Sequence, residues 1–133
     1  MQIAATVINT AQAHEVRVRT DANIRPLAVA AKAAGRGSAV NGGEFLMLAL
    51  ATCYCNDLFR EAERLGIAID GVQVEATAEF DGVGLAARDI RYRARVDSAA
   101  GHERLAELLR QTDAVAEIHN TLRAGGQVTL VTD

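Results

Sequence analysis

The only thiols in this chain of 133 residues are Cys53 and Cys55. A thiol reacts as its thiolate, so its pKa decides whether it attacks an electrophile or is oxidised. Asp57 follows Cys53 by one helical turn, and a carboxylate facing the same dry space raises a thiol pKa. A cation must supply the relief, and Arg60, Arg36 and Arg25 are the candidates. A bridge from Cys53 to Cys55 within a helix is disfavoured. Residues two apart diverge by about 200°, whereas a disulfide needs its Cβ atoms about 3.8 Å apart. A one-cysteine cycle, with an external thiol resolving a sulfenic acid, needs no second cysteine. The alternative is that both thiols pack as small hydrophobes. Cys55, with Ala51 and Phe59 at helical spacing, suits that role. Cys53, Cys55 and a histidine make a poor metal site, since two ligands lie on opposite helix faces. No metal or cofactor is expected.

The element that must hold these thiols is the stretch Gly43 to Leu65. From Phe45 to Cys55 every residue except Thr52 is apolar or nearly so. A helix apolar on all sides is covered on all sides. Leu58, Phe59, Ala62 and Leu65 then recur at helical spacing among charged residues. The stretch reads as one helix, buried in its first half and amphipathic in its second. Ser38 or Asn41 is its expected cap, and Gly66 its stop.

Alternation predicts strands at 2–9 and 14–20, and a third with Pro26 at its start and Leu27, Val29 and Ala31 on one face. Residues 32–43 form a glycine-rich loop, read as a flexible connector or as an anion site using Lys32, Arg36 and free amides. After the helix, 71–80 and 88–96 alternate strictly around a turn at 81–84, giving a hairpin. Arg91, Arg93 and Arg95 oppose Glu75 and Glu79, so this ladder reads as a solvated face rather than a substrate site. Residues 102–115 are an amphipathic helix, 113–122 a second helical piece with His119, and 127–132 a final strand. Such separated blocks argue for an α+β fold with a largely antiparallel sheet. One chain of this size has trouble hiding an all-apolar helix, so a homodimer with that helix near its interface is expected.

Half the residues are hydrophobic and the net charge is -3. One domain over 1–133 is the expectation. No basic patch suggests nucleic acid or an anionic membrane as partner. The N-terminus reads as no signal peptide. The apolar run is shorter than the roughly 20 residues that span a bilayer. A cytoplasmic protein is the plain reading.

NGGEFLMLALATC, followed by a polar helix half and GIAIDGVQVEATAEF, resembles the OsmC-like family, which includes the organic hydroperoxide resistance proteins. The element order matches over nearly the whole chain. The resemblance implies an intertwined homodimer and thiol-dependent reduction of organic hydroperoxides. It implies Cys53 as the reactive cysteine and a glutamate, falling at Gly43 or displaced to Glu44, as its orienting carboxylate. The family's second cysteine opens a motif that here reads Ala116-Glu117-Ile118-His119-Asn120, so Ala116 stands in its place. Its arginine belongs in the loop 10–13, where this chain has none. What carries over is the fold and the nucleophile's position, not the two-cysteine cycle.

The site expected from residues and resemblance together has Cys53 as nucleophile with Glu44, and Cys55, His119 and Arg36 as binding residues. A small thiol or dithiol would restore Cys53, and Phe45, Leu46 and Leu50 would favour an apolar hydroperoxide. The other reading is a non-catalytic dimer that binds a small apolar ligand. A weaker third is a sulfur carrier using a Cys53 persulfide.

Overall fold

A computed structural model describes residues 1–132. The chain divides into two compact units, with the division inside the long helix, between Phe45 and Leu46.

The first unit is an antiparallel meander of β1 (Ile3–Asn9), β2 (His14–Thr20) and β3 (Asn23–Pro26), in that order. Thr10 closes the first turn, its hydroxyl accepting from the N–H groups of Gln12 and Ala13. The third strand lies earlier than expected. Thr20 pairs directly with Asn23 across a two-residue turn, in which Asp21 takes a φ of 50°. The ladder therefore starts at once, and Pro26 ends β3 instead of opening it. The glycine-rich loop is no loose connector. Lys32 N–H donates to Gly37 O at 3.0 Å and Ala39 N–H to Ala30 O at 2.9 Å, folding it into a small hairpin. Gly35 and Gly37, at φ of 84° and 105°, supply its left-handed corners.

Helix α1 spans Gly42–Leu65. Asn41 and Glu44 form a reciprocal capping box: Asn41 Oδ1 accepts from Glu44 N–H at 2.9 Å, and Glu44 Oε2 accepts from Asn41 N–H at 2.8 Å. At the other end Gly66 adopts φ 68°. There Ile67 N–H donates to Ala62 O and Gly66 N–H to Glu63 O, the two bonds of a Schellman cap.

The second unit holds α1 from Leu46 on, the hairpin β4 (Gly71–Glu79) and β5 (Arg88–Asp97), and helices α2 (His102–Val115) and α3 (Glu117–Arg123). The hairpin register pairs Val72 with Val96, Val74 with Ala94 and Ala76 with Tyr92 on one face, and Glu75 with Arg93 on the other. Glu75 and Arg93 are ion-paired at 2.5 Å. The first face packs on a core of Tyr54, Leu58, Ala62, Ile67, Leu108 and Ala116. Helix α2 runs to Val115, so the second helical piece starts at Glu117, after one extended residue, Ala116.

Within a single chain α1 is only partly covered, and one expectation, the final strand, is corrected. The buried residues of α1 are Leu50, Tyr54, Asp57, Leu58, Glu61 and Ala62, mainly in its second half. Leu48, in the apolar first half, is 56% exposed. The residues that cover α1 within one chain meet a single stripe of it, at spacing i, i+4, i+7 and i+8. The final strand at 127–132 is also absent: no strand among the described residues pairs with it, and Val128, Leu130 and Val131 are exposed. An extended segment becomes a strand only when a neighbour takes its backbone hydrogen bonds. Among the described residues no helix is long and apolar enough to cross a membrane.

Candidate functional site

Cys53 stands half-buried on α1, where the start of α3 approaches it. Its thiol donates to Asp57 Oδ2 at 3.5 Å, the i+4 contact that the helical spacing dictates. Glu117 Oε2, in the first turn of α3, lies 3.9 Å from the sulfur. The backbone N–H of Ile118 donates to the sulfur from the same turn. Burial pushes the Cys53 thiol up from its ordinary value; the Ile118 N–H opposes this, and the charges of Asp57 and Glu117 add to it. This sulfur is a protonated thiol at neutral pH.

Asp57 is 4% exposed. Burial raises its carboxyl pKa, and Arg60 pulls it back. Arg60 Nη1 reaches Asp57 Oδ1 at 2.8 Å and Glu117 Oε1 at 3.9 Å, while its Nε donates to Glu61 Oε1 at 3.3 Å. Glu61 is buried too, and its hydrogen bond from Arg64 holds its carboxyl below the ordinary range. Two guanidinium groups thus serve three carboxylates along one edge of α1 and the start of α3. The ligand atoms of Cys53, Asp57 and Glu117 lie within 4.8 Å of one another, a set of cation-binding type. Its two carboxylates, Asp57 and Glu117, hold the guanidinium of Arg60, which does not bond the sulfur.

Beside this group sits an aromatic cluster. Tyr92 lies edge-on to Tyr54, ring centroids 4.8 Å apart, and to His119 at 4.3 Å. Tyr54 donates its hydroxyl to Leu109 O at 2.7 Å. Tyr92 bonds Asp113, whose carboxylate also takes Arg123 at 2.6 Å. Asp113 is held below its ordinary pKa, chiefly by the Arg123 hydrogen bond. His119 is 3% exposed, and neither ring nitrogen has a partner among the described residues. Burial, with Arg123 nearby, keeps it neutral. An open cavity of about 220 Å³ is lined by Leu50, Ile90, Tyr92, His119, Leu122 and Arg123.

The other expected residues have partners of their own or none shared with the sulfur. Glu44 is engaged in the capping box. Arg36 donates to Asn9 Oδ1 at 3.2 Å, and Asn9 in turn meets His14 Nδ1 at 3.1 Å. Cys55 is half-buried and shares none of the Cys53 partners. Ala116 is fully buried in the core. Glu117 was the residue that sequence reasoning missed. Its signal was its place directly after Ala116, in the run matched to the family's second cysteine.

Residues 35–131 match the family described as OsmC-like protein. No curated protein matches the sequence. Among solved structures, an OsmC like protein from Mycoplasma pneumoniae superposes with a TM-score of 0.70 at 17% identity, covering 97% of this chain and 92% of that one. An organic hydroperoxide resistance protein from Elizabethkingia anophelis gives 0.64 at 14% identity, covering 94% and 90%. Another from Legionella pneumophila gives 0.61 at 13%, covering 92% and 90%. At these identities the likeness is one of fold.

Proposed function

The chain belongs to the OsmC-like family, and on that premise we propose that it reduces organic hydroperoxides through Cys53, as a cytoplasmic homodimer built from one OsmC-like domain per chain. The observation that carries this reading is the position of the sulfur: half-buried where α1 meets α3, and in contact with two proton acceptors. The names of the Elizabethkingia and Legionella proteins point to the same class of chemistry.

Cys53 attacks the outer oxygen of the hydroperoxide, the S–O bond forms as the O–O bond breaks, and an alcohol leaves. The sulfenic acid condenses with a small external thiol, releasing water. A second thiol then frees Cys53 and departs as a disulfide. An external reductant is needed because Ala116 occupies the matched second position and Cys55 diverges along the helix. Phe45, Leu46 and Leu50 favour an apolar substrate over hydrogen peroxide. The homodimer draws support from uncovered apolar surface: Leu48 on α1, and Ile3, Val7 and Ile24 on the first sheet are all exposed. Small intracellular thiols fit a cytoplasmic setting.

The decisive experiment is the intact mass of reduced protein after one equivalent of cumene hydroperoxide with dimedone present. A dimedone adduct on wild type and Cys55→Ser, absent from Cys53→Ser, is the expected result. No modification of wild type overturns the proposal. It would favour the second reading, a dimer that binds a small apolar ligand, which draws on the cavity beside His119.

A further inference from the structure

We infer that Asp57 is the base that takes the thiol proton of Cys53 as the sulfur attacks, with Arg60 as its positioning residue. This rests on the peroxide-reduction reading and specifies how the nucleophile is made. The geometry divides the two oxygens of Asp57 between two tasks. Oδ2 accepts from the thiol at 3.5 Å, and Oδ1 is bonded by Arg60 at 2.8 Å. The guanidinium fixes the carboxylate so that Oδ2 faces sulfur, with the Glu117 carboxyl also within hydrogen-bonding reach of Asp57. With Asp57 only 4% exposed, bulk water does not compete for that oxygen.

The other titratable groups near the sulfur are poorer acceptors. Glu117 is farther, at 3.9 Å, and its side chain is 69% exposed, so water competes for its oxygens. Neither ring nitrogen of His119 bonds the sulfur or any described residue. Glu61 is engaged by Arg60 and Arg64. Among the described residues no lysine or arginine bonds the sulfur, so a standing thiolate has no counter-charge in contact with it. A half-buried thiol flanked by carboxylates is a poor thiolate but a good proton donor to one of them during reaction.

The step balances. The S–H proton passes to Asp57 Oδ2 while sulfur bonds the outer peroxide oxygen and the O–O bond breaks. The departing alkoxide takes the proton back from Asp57 and leaves as alcohol. Sulfur loses two electrons, the peroxide gains two, and Asp57 ends ionised as it began.

The test sets two rates against each other in the full chain, wild type and Asp57→Asn. Iodoacetamide alkylation reports the standing thiolate. Dimedone-trapped oxidation by cumene hydroperoxide reports the reaction itself. Removing the negative charge lowers the thiol pKa, so Asp57→Asn should alkylate about 3- to 10-fold faster near neutral pH. Removing the base should slow its oxidation by about 100-fold or more. A merely structural role moves both rates the same way. Wild type gives a second measurement if the variant does not fold. Its oxidation rate should level off well below the pH at which alkylation reports the thiol pKa. Normal wild-type oxidation with an unimpaired Asp57→Asn, both variant rates falling together, or one shared pKa for both wild-type profiles overturns this inference alone. Wild type that alkylates but never oxidises overturns the peroxidase reading, and this inference with it.

Discussion

The ring of His119 lies edge-on to that of Tyr92, centroids 4.3 Å apart, with both imidazole nitrogens unpartnered among the described residues. A buried polar group without a partner costs about 1–3 kcal/mol. His119→Phe keeps the edge-to-face packing and removes that cost. Its urea midpoint should match or exceed that of wild type. A clear loss of stability would mean that the imidazole has a partner in solution.

The same histidine gives a pH dependence with a definite sign. Burial lowers its pKa in the folded state, so the unfolded chain binds the proton more readily. Its contribution is fully present above the unfolded value of about 6.5 and is lost as pH falls toward the lower folded value. Wild type should lose stability over that window. His119→Phe should lack this part of the slope, as urea unfolding at a series of pH values would reveal.

Ala116 occupies the position matched to the family's second cysteine, and the two residues after it bring Glu117 and the Ile118 N–H to the sulfur. Ala116→Cys should convert the one-cysteine cycle into a two-cysteine one. After peroxide, its mass should fall by two hydrogens and the dimedone adduct should shrink. Retention of the full adduct would mean that the introduced thiol does not reach the Cys53 sulfur.

Asn41 caps α1 through Glu44 N–H at 2.9 Å. Asn41→Ala should cost about 1 kcal/mol of stability by thermal or urea unfolding. Its Cys53 alkylation rate should stay within twofold of wild type. A large change in that rate would tie the start of α1 to the thiol's reactivity.

Leu48 is 56% exposed in the single chain. If a second copy covers it, Leu48→Lys buries a charge at the interface. Light scattering after size exclusion should then report a dimer for wild type and a shift to monomer for the variant. Equal masses would remove Leu48 from the interface.

Much of this was legible because it is local. Asn41 and Gly66 punctuate α1 at its ends, and the alternation in β2, β4 and β5 fixes which residues face inward. Asp57 was readable as the i+4 neighbour of Cys53. Glu117 was not, because its contact joins residues 64 apart in sequence. The third strand is not legible in sequence because Pro26 opens strands and also ends them, and only the Thr20–Asn23 pairing decides which. The half-covered first half of α1 and the unpaired 127–132 segment share a reason. Apolar residues and alternation say what a segment wants to contact, not whether one chain provides it.

Ala116 joins α2 to α3 as a single extended residue, with φ −72° and ψ 102°. The carboxylate of Glu117 and the N–H of Ile118 both hang from the short helix beyond that corner. One tends to keep the proton on sulfur and the other to release it. Two opposing influences on one thiol therefore share a single short support.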